Sequence, residues 1–191
     1  ANLENQINAI SEQKKEVIRI AAYASIAMHW LPGIIQRFRE ECPDVDVDIR
    51  MADHVDVPYE LLAQGKMDAI LVSPQDEGQY EWVHLADDPM FAVLPRDFDT
   101  QGMTAFPLAA FEARDFIMPS QGFDKDIMRI FNRIGVKPHI LPTWVDDPTV
   151  ISMVSHGLGV SMMTELTVRG RTDGVKPVSY THLRAHETRG N

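Results

Sequence analysis

Apolar positions along this chain follow two rhythms, one of every second residue and one of about 3.6 residues, which are the signatures of half-buried strands and amphipathic helices. The clearest strand is "VDVDIRM", where Val45, Val47, Ile49 and Met51 alternate with Asp46, Asp48 and Arg50. Before it, "VIRIAAY" is a short β-prone run, and Trp30, Leu31, Ile34, Ile35 and Phe38 make a wide apolar helix face. Pro32 lies in the opening of that face, so the regular helix is expected to begin near Leu31, with a tighter turn over residues 26–30. Pro43 stops it. "VPYELLAQGKMD" predicts a short helix closed by Gly65, and "AILVS" a strand covered on both faces. Strand, helix, strand, helix, strand implies a parallel sheet with right-handed crossovers. At the beginning, Leu3, Ile7 and Ile10 form a narrow stripe on a polar segment, as in a helix that leans on another element.

After "YEWVHLADDPMFAVLP" the pattern restarts, with a polar joint at "RDFDTQGMT" and then a strand and small polar turn in "DFIMPSQGF". Ile127, Ile130, Phe131 and Ile134 share a helix face that Gly135 ends. In "DDPTVISMVSHG", Asp147 is placed to cap, Pro148 to open the helix and Gly157 to terminate it, with Val150, Ile151 and Val154 facing inward. "LGVSMM" reads as the next buried strand. Two α/β halves joined by a flexible segment predict two lobes with a cleft between them.

Composition narrows the function classes. With 191 residues, 45% hydrophobic and 24% charged, the chain can bury a sizeable core. A formal charge of −10 and the lack of a Lys/Arg stripe leave no electrostatic footprint for gripping nucleic acid. Any DNA-binding part is therefore expected elsewhere. The single cysteine, Cys42, cannot form an internal disulfide, and no apolar leader or spanning segment is present, so a reducing cytoplasm fits best. Cys42 has no C-x-x-C partner and precedes Pro43, which makes it a poor nucleophile.

Ligands of open parallel sheets bind beyond the carboxyl ends of strands, where loops lead into helices. Four such turns carry small polar residues: Ser25; Ser73; Ser120 with Gln121; and the "DDPT" turn of Asp146, Asp147 and Thr149. Unpaired backbone N–H groups at helix starts suit a small carboxylate or another anion. Taken singly, each of these side chains is read first as a helix cap. Their shared location at strand ends in both halves favours ligand contact.

Catalytic readings have less support. Ser25 lies in "YASIA", without the glycines of a nucleophile elbow, and no base or acid partner follows from spacing. His29, His54, His84, His139 and His156 are scattered, with no H-E-x-x-H pattern, and Asp87 and Asp88 before Pro89 read as a solvated turn. No cofactor or metal is expected. His182 and His186 do have the spacing of a helical metal pair. However, "VSYTHLRAHET" (178–188) is similar to the peptide obtained by translating a transposase-derived sequencing adapter, and is read as read-through rather than evolved protein.

"IRIAAYASIAMHWLPGIIQRFREECPDVDVDI", "LLAQGKMDAILV", "DDPMFAVLP", "FIMPSQG" and "DDPTVISMVSHGLGVSMMTEL" occur in the order and at the spacing of the effector-binding domain of LysR-type transcriptional regulators. The resemblance covers about residues 17–178, and "HWLPGIIQRFREECPDV" with "VSHGLGVSMMTEL" carries most of its specificity. It implies an α/β fold of two Rossmann-like lobes of the type II periplasmic-binding-protein kind, with a small-molecule effector held between them. Mapped onto the chain, that gives a linker-helix remnant at 1–16, lobe I at 17–93, lobe II at 94–178 and a tail of non-native origin at 179–191. By position it implies effector contacts from Ser25 and the backbone of Ile26, from Ser73, from Ser120 and Gln121, and from Asp146 or Asp147.

The implied partners are a small organic acid or amino-acid-like metabolite and further copies of the chain, as a homodimer or tetramer of the full-length protein. DNA would be reached only through an N-terminal winged helix-turn-helix that this chain lacks, and no membrane is involved. A solute-binding protein of a transporter shares the fold and is the alternative. Two departures stand out. Thr164 stands where the family often has proline. The closing strand and helix of lobe I are replaced by the adapter-like tail, so apolar surface is expected to be exposed there.

Overall fold

Strand β1 (Glu16–Tyr23) is the centre of the first sheet in the computed structural model, which describes residues 16–52, 56–74, 80–119, 124–143 and 145–181. The chain divides into two compact units, Ala1–Glu77 and Gly78–Asn191. In the first, β1 is followed by α1 (Ala24–His29), α2 (Leu31–Glu41), β2 (Val45–Ala52), α3 (Asp56–Ala63) and β3 (Ala69–Leu71). The sheet order is β2-β1-β3 and both pairings are parallel, as the alternation of strands and helices requires. Register runs from Glu16 opposite Val45 to Tyr23 opposite Ala52 on one side, and from Ile20 opposite Ala69 to Ala22 opposite Leu71 on the other. As the central strand, β1 supplies the buried Ala21, Ala22 and Tyr23.

Several local expectations are corrected in this unit. Residues 24–29 form a true α-helical turn rather than a tighter one, and Trp30 separates it from α2, which does begin at Leu31 with Pro32 in its first turn. Pro32 is accommodated there because first-turn N–H groups have no intrahelical acceptor. β3 is covered only in part, with Ala69 exposed and Ile70 and Leu71 half-buried. Met28, Ile34 and Met51 in this unit are 51%, 50% and 65% exposed. Gly65 closes α3 at φ +64, a left-handed conformation that glycine adopts at little steric cost. The Leu3–Ile7–Ile10 helix lies outside the described residues.

The second unit is built on β4 (Met90–Pro95), which pairs antiparallel with β8 (Ser161–Thr164) on one side and β9 (Val175–Val178) on the other. β4 is bonded along its whole length within this second unit, which begins at Gly78. "RDFDTQGMT" is consequently a turn inside that unit rather than a joint between units. Around the sheet lie β5 (Phe106–Pro107), a 3-10 turn (Leu108–Phe111), β6 (Asp115–Phe116), α4 (Asp124–Ile134), β7 (His139–Ile140), α5 (Asp147–Ser155), α6 (Glu165–Val168) and β10 (Tyr180–Thr181). β6 pairs parallel with β7 and bridges to Val160, and β10 pairs parallel with β5. The first residues of the expected non-native tail are thus built into this unit, with Tyr180 packed on its core. The rest of that tail, with His182 and His186, lies outside the described residues.

Side-chain alternation sorts the core onto two faces. Ala92, Leu94 and Met162 join Phe106, Phe111, Phe116, Ile127 and Phe131 in one cluster. Their strand neighbours Val93 and Met163 join Ile117, Val150, Ile151 and Val154 in the other. α4 therefore covers one face and α5 the opposite one, an α/β/α layering that follows from the period of two in β4 and β8. The four phenylalanines meet edge to face, with centroids 4.9 to 5.5 Å apart where Phe111 contacts Phe106, Phe116 and Phe131.

Candidate functional site

The carboxyl ends of β1 and β3 are adjacent because the two strands pair in parallel, with Ala22 opposite Leu71. Ser25 follows Ala22 by three residues and Ser73 follows Leu71 by two, so both emerge at the same end of the sheet. Ser25 is 8% exposed, in the first turn of α1. The cap position of that helix belongs to Tyr23, in extended conformation, and no side chain caps it. The expectation that Ser25 is a cap is therefore overturned: capping needs the extended residue before the helix, and Ser25 is already helical. Ile26 is next, in the first turn, where N–H groups have no intrahelical acceptor.

Ser73 is held at two points. Its hydroxyl lies 3.3 Å from the phenol oxygen of Tyr23, and its carbonyl accepts a hydrogen bond of 2.8 Å from the Tyr59 phenol. Neither tyrosine was singled out by sequence reasoning. The available signal was a tyrosine at the end of a buried strand, whose hydroxyl needs a polar partner.

In the second unit Asp146, not Asp147, is the cap of α5. Its Oδ1 accepts the Thr149 N–H at 3.0 Å, and Asp147 and Pro148 occupy the first turn. Thr149, through its side chain and then its backbone N–H, holds the Asp146 carboxyl below its ordinary range. The cap reading is thus right for this turn, one residue earlier than expected. Ser120 and Gln121 lie outside the described residues.

Other candidates resolve into structural roles. Asp88 is not merely solvated, for its Oδ1 accepts the Leu166 N–H at 3.0 Å at the start of α6, alongside the capping hydroxyl of Thr164. Threonine thereby serves at a position where the resemblance leads one to expect proline. His84 pairs with Asp87 at 2.9 Å, His139 with Asp115 at 2.7 Å, and the His156 ring with the Ser152 carbonyl at 2.7 Å. Among the described residues no group of three His, Cys, Asp or Glu side chains could hold a metal ion, and no helix is long and apolar enough to cross a membrane. His54 lies outside those residues.

Among the described residues, this arrangement places the Ser25 and Ser73 hydroxyls and the first-turn amides of α1 at one end of the sheet. Compared with known families, residues 11–186 match the model of the LysR substrate binding domain. The chain belongs to that family. This LysR domain is 24% identical over 153 residues to the uncharacterized HTH-type transcriptional regulator YvbU of Bacillus subtilis, covering 80% of the chain and 52% of the relative. It spans about half the length of the curated relatives it matches first. Its fold is similar to that of the Synechocystis PCC6803 CcmR regulatory domain in complex with 2-PG, with a TM-score of 0.75 at 18% identity over 86% of this chain and 81% of that one. The BenM effector binding domain with its effector benzoate gives 0.74 at 19% identity, over 90% and 80%. The curated relatives are named as transcriptional regulators rather than enzymes or transport proteins, so the transporter alternative is not favoured.

Proposed function

We propose that this LysR domain senses a small organic acid or amino-acid-like metabolite and passes the signal to a DNA-binding part of the same regulator. The observation that carries the reading is Ser25, buried at the carboxyl end of β1 and not used as a cap, emerging at the same sheet end as Ser73. Ser25, the Ile26 amide and Ser73 supply the first unit's contacts; Ser120, Gln121 and Asp146 or Asp147 supply the second's. The net charge of −10 and the relatives' description as HTH-type regulators support DNA contact through another part of the regulator, a helix-turn-helix. Effector then acts by differential affinity for two arrangements of a cytoplasmic dimer or tetramer.

Thermal shift with a panel of small acids, followed by calorimetric titration, tests this. An acid that binds is expected to lose roughly tenfold or more in affinity with Ser25→Ala, the usual effect of deleting one hydrogen bond to a charged group. Unchanged affinity removes Ser25 from the site.

A further inference from the structure

We propose that Tyr59 is a positioning residue of the effector site, which raises affinity for a small acid by fixing the backbone of Ser73. The inference rests on the reading that Ser73 contacts the effector. Tyr59 lies in α3, the helix that leads into β3, and its phenol donates to the Ser73 carbonyl at 2.8 Å across fourteen positions of sequence. The helix before the strand therefore reaches over to hold the chain where it leaves the strand.

That exit has little other support from the sheet. Pairing of β3 with β1 ends at Leu71 opposite Ala22, so Ser73 stands two residues past the last registered pair. Pro74 follows; it brings no N–H of its own and confines the Ser73 backbone to extended conformations. The entry to β3 is fixed separately, by the bonds from Arg19 to the Asp68 carboxylate. With Pro74 narrowing the backbone angles and Tyr59 holding the carbonyl, the direction in which the Ser73 side chain leaves the backbone is set before any ligand arrives. A residue left loose at a strand end must be ordered on binding, which subtracts from affinity, whereas an anchored one is ordered beforehand. This role does not require the bond to be the only contact that either residue makes. It requires that the effect of the Tyr59 hydroxyl on binding pass through the Ser73 hydroxyl.

A double-mutant cycle reads that dependence directly. The full chain is titrated by calorimetry with benzoate, malonate and glutamate, as the unaltered protein, Tyr59→Phe, Ser73→Ala and the two substitutions together, with urea unfolding of each alongside. A fifth protein carries 4-aminophenylalanine at position 59, which keeps a donor at the end of the ring. For an acid that binds, Tyr59→Phe is expected to weaken affinity about three- to tenfold and Ser73→Ala about tenfold. Once Ser73 is alanine, Tyr59→Phe should add less than about twofold, and the 4-aminophenylalanine protein should stay within about threefold of the unaltered one. A tyrosine that serves only to pack α3 would lower affinity by the same factor with and without the Ser73 hydroxyl. That result overturns the role of Tyr59 and leaves the site standing, as does an unchanged affinity in Tyr59→Phe when Ser73→Ala weakens binding. If none of the three acids binds, or Ser73→Ala leaves the affinity of one that does unchanged, the reading of Ser73 fails and the proposal with it.

Discussion

Arg19 grips Asp68 with its whole polar end. The Asp68 carboxylate accepts from Arg19 Nε at 3.0 Å, from Nη2 at 2.7 Å and from the Arg19 backbone N–H at 2.8 Å, while the Asp68 N–H returns a bond to the Arg19 carbonyl at 2.8 Å. The two-pronged geometry matches a guanidinium to a carboxylate better than any single contact could. Since Asp68 immediately precedes β3, the pair also fixes where that strand joins β1.

A pH dependence follows. The hydrogen bonds from the Arg19 side chain, then from its backbone, hold the Asp68 carboxyl at about 2, below its ordinary value, and Arg19 is raised in turn. A carboxyl whose folded pKa is depressed stabilises the fold above its unfolded pKa and loses that contribution as pH falls through the folded one. The stability difference between the unaltered chain and Asp68→Asn should therefore be full near neutrality and shrink between about pH 4 and pH 2. Urea unfolding across that range measures it; a difference independent of pH would show that the ion pair is not its source.

Asp146 and Asp147 should separate in a simple comparison. Asp146→Ala removes the side chain that takes the Thr149 N–H, whereas Asp147→Ala leaves that bond in place. The first is expected to lower the unfolding midpoint by roughly a few degrees and the second by less. Because the Asp146 carboxyl is also depressed, its advantage should fade in acid. Equal losses for the two variants would contradict the cap assignment.

Phe111 sits among three other rings and is fully buried. Phe111→Ala is expected to destabilise the second unit by about 3–5 kcal/mol, through lost burial and the cavity left behind. Phe111→Leu, which refills most of the volume, should cost roughly half as much or less. Denaturant unfolding distinguishes the two, and a loss under about 1 kcal/mol for the alanine variant would mean that the cluster collapses to fill the space.

Gly159 is held by proximity rather than by backbone angle. A Cβ there would lie 2.6 Å from the Asp115 carbonyl oxygen and 3.1 Å from Ile117 Cγ1. Those segments cannot separate without breaking the bonds from Val160 N–H to Asp115 and from Ile117 N–H to Val160, both 2.9 Å. Gly159→Ala is expected to cost about 1–3 kcal/mol and to speed hydrogen exchange at the Val160 and Ile117 amides. Exchange unchanged at both amides would show that the strand contact absorbs the methyl group.

Element by element, local pattern made much of this fold legible. The strand in "VDVDIRM", the glycines that end α3, α4 and α5, and the inward set Val150, Ile151 and Val154 appear where pattern places them, although the expected alternation holds only for Val45 and Val47, since Ile49 and Met51 are exposed. The misses share a cause. Whether Asp146 or Asp147 caps depends on which residue keeps an extended backbone, and adjacent carboxylates look alike in sequence. The pairing of β4 depends on β8 and β9, distant in the chain, which no local pattern reveals.

From its residues alone, the chain determined its elements, its family resemblance and the strand-end positions of Ser25 and Ser73, because the facing of side chains and the turn residues are local properties. Tertiary structure alone decided that Ser25 is buried without capping, and that Ser73 is held by Tyr23, fifty residues away, and by Tyr59. Such meetings are set by parallel strand pairing and by burial, which act over distances that periodicity does not encode.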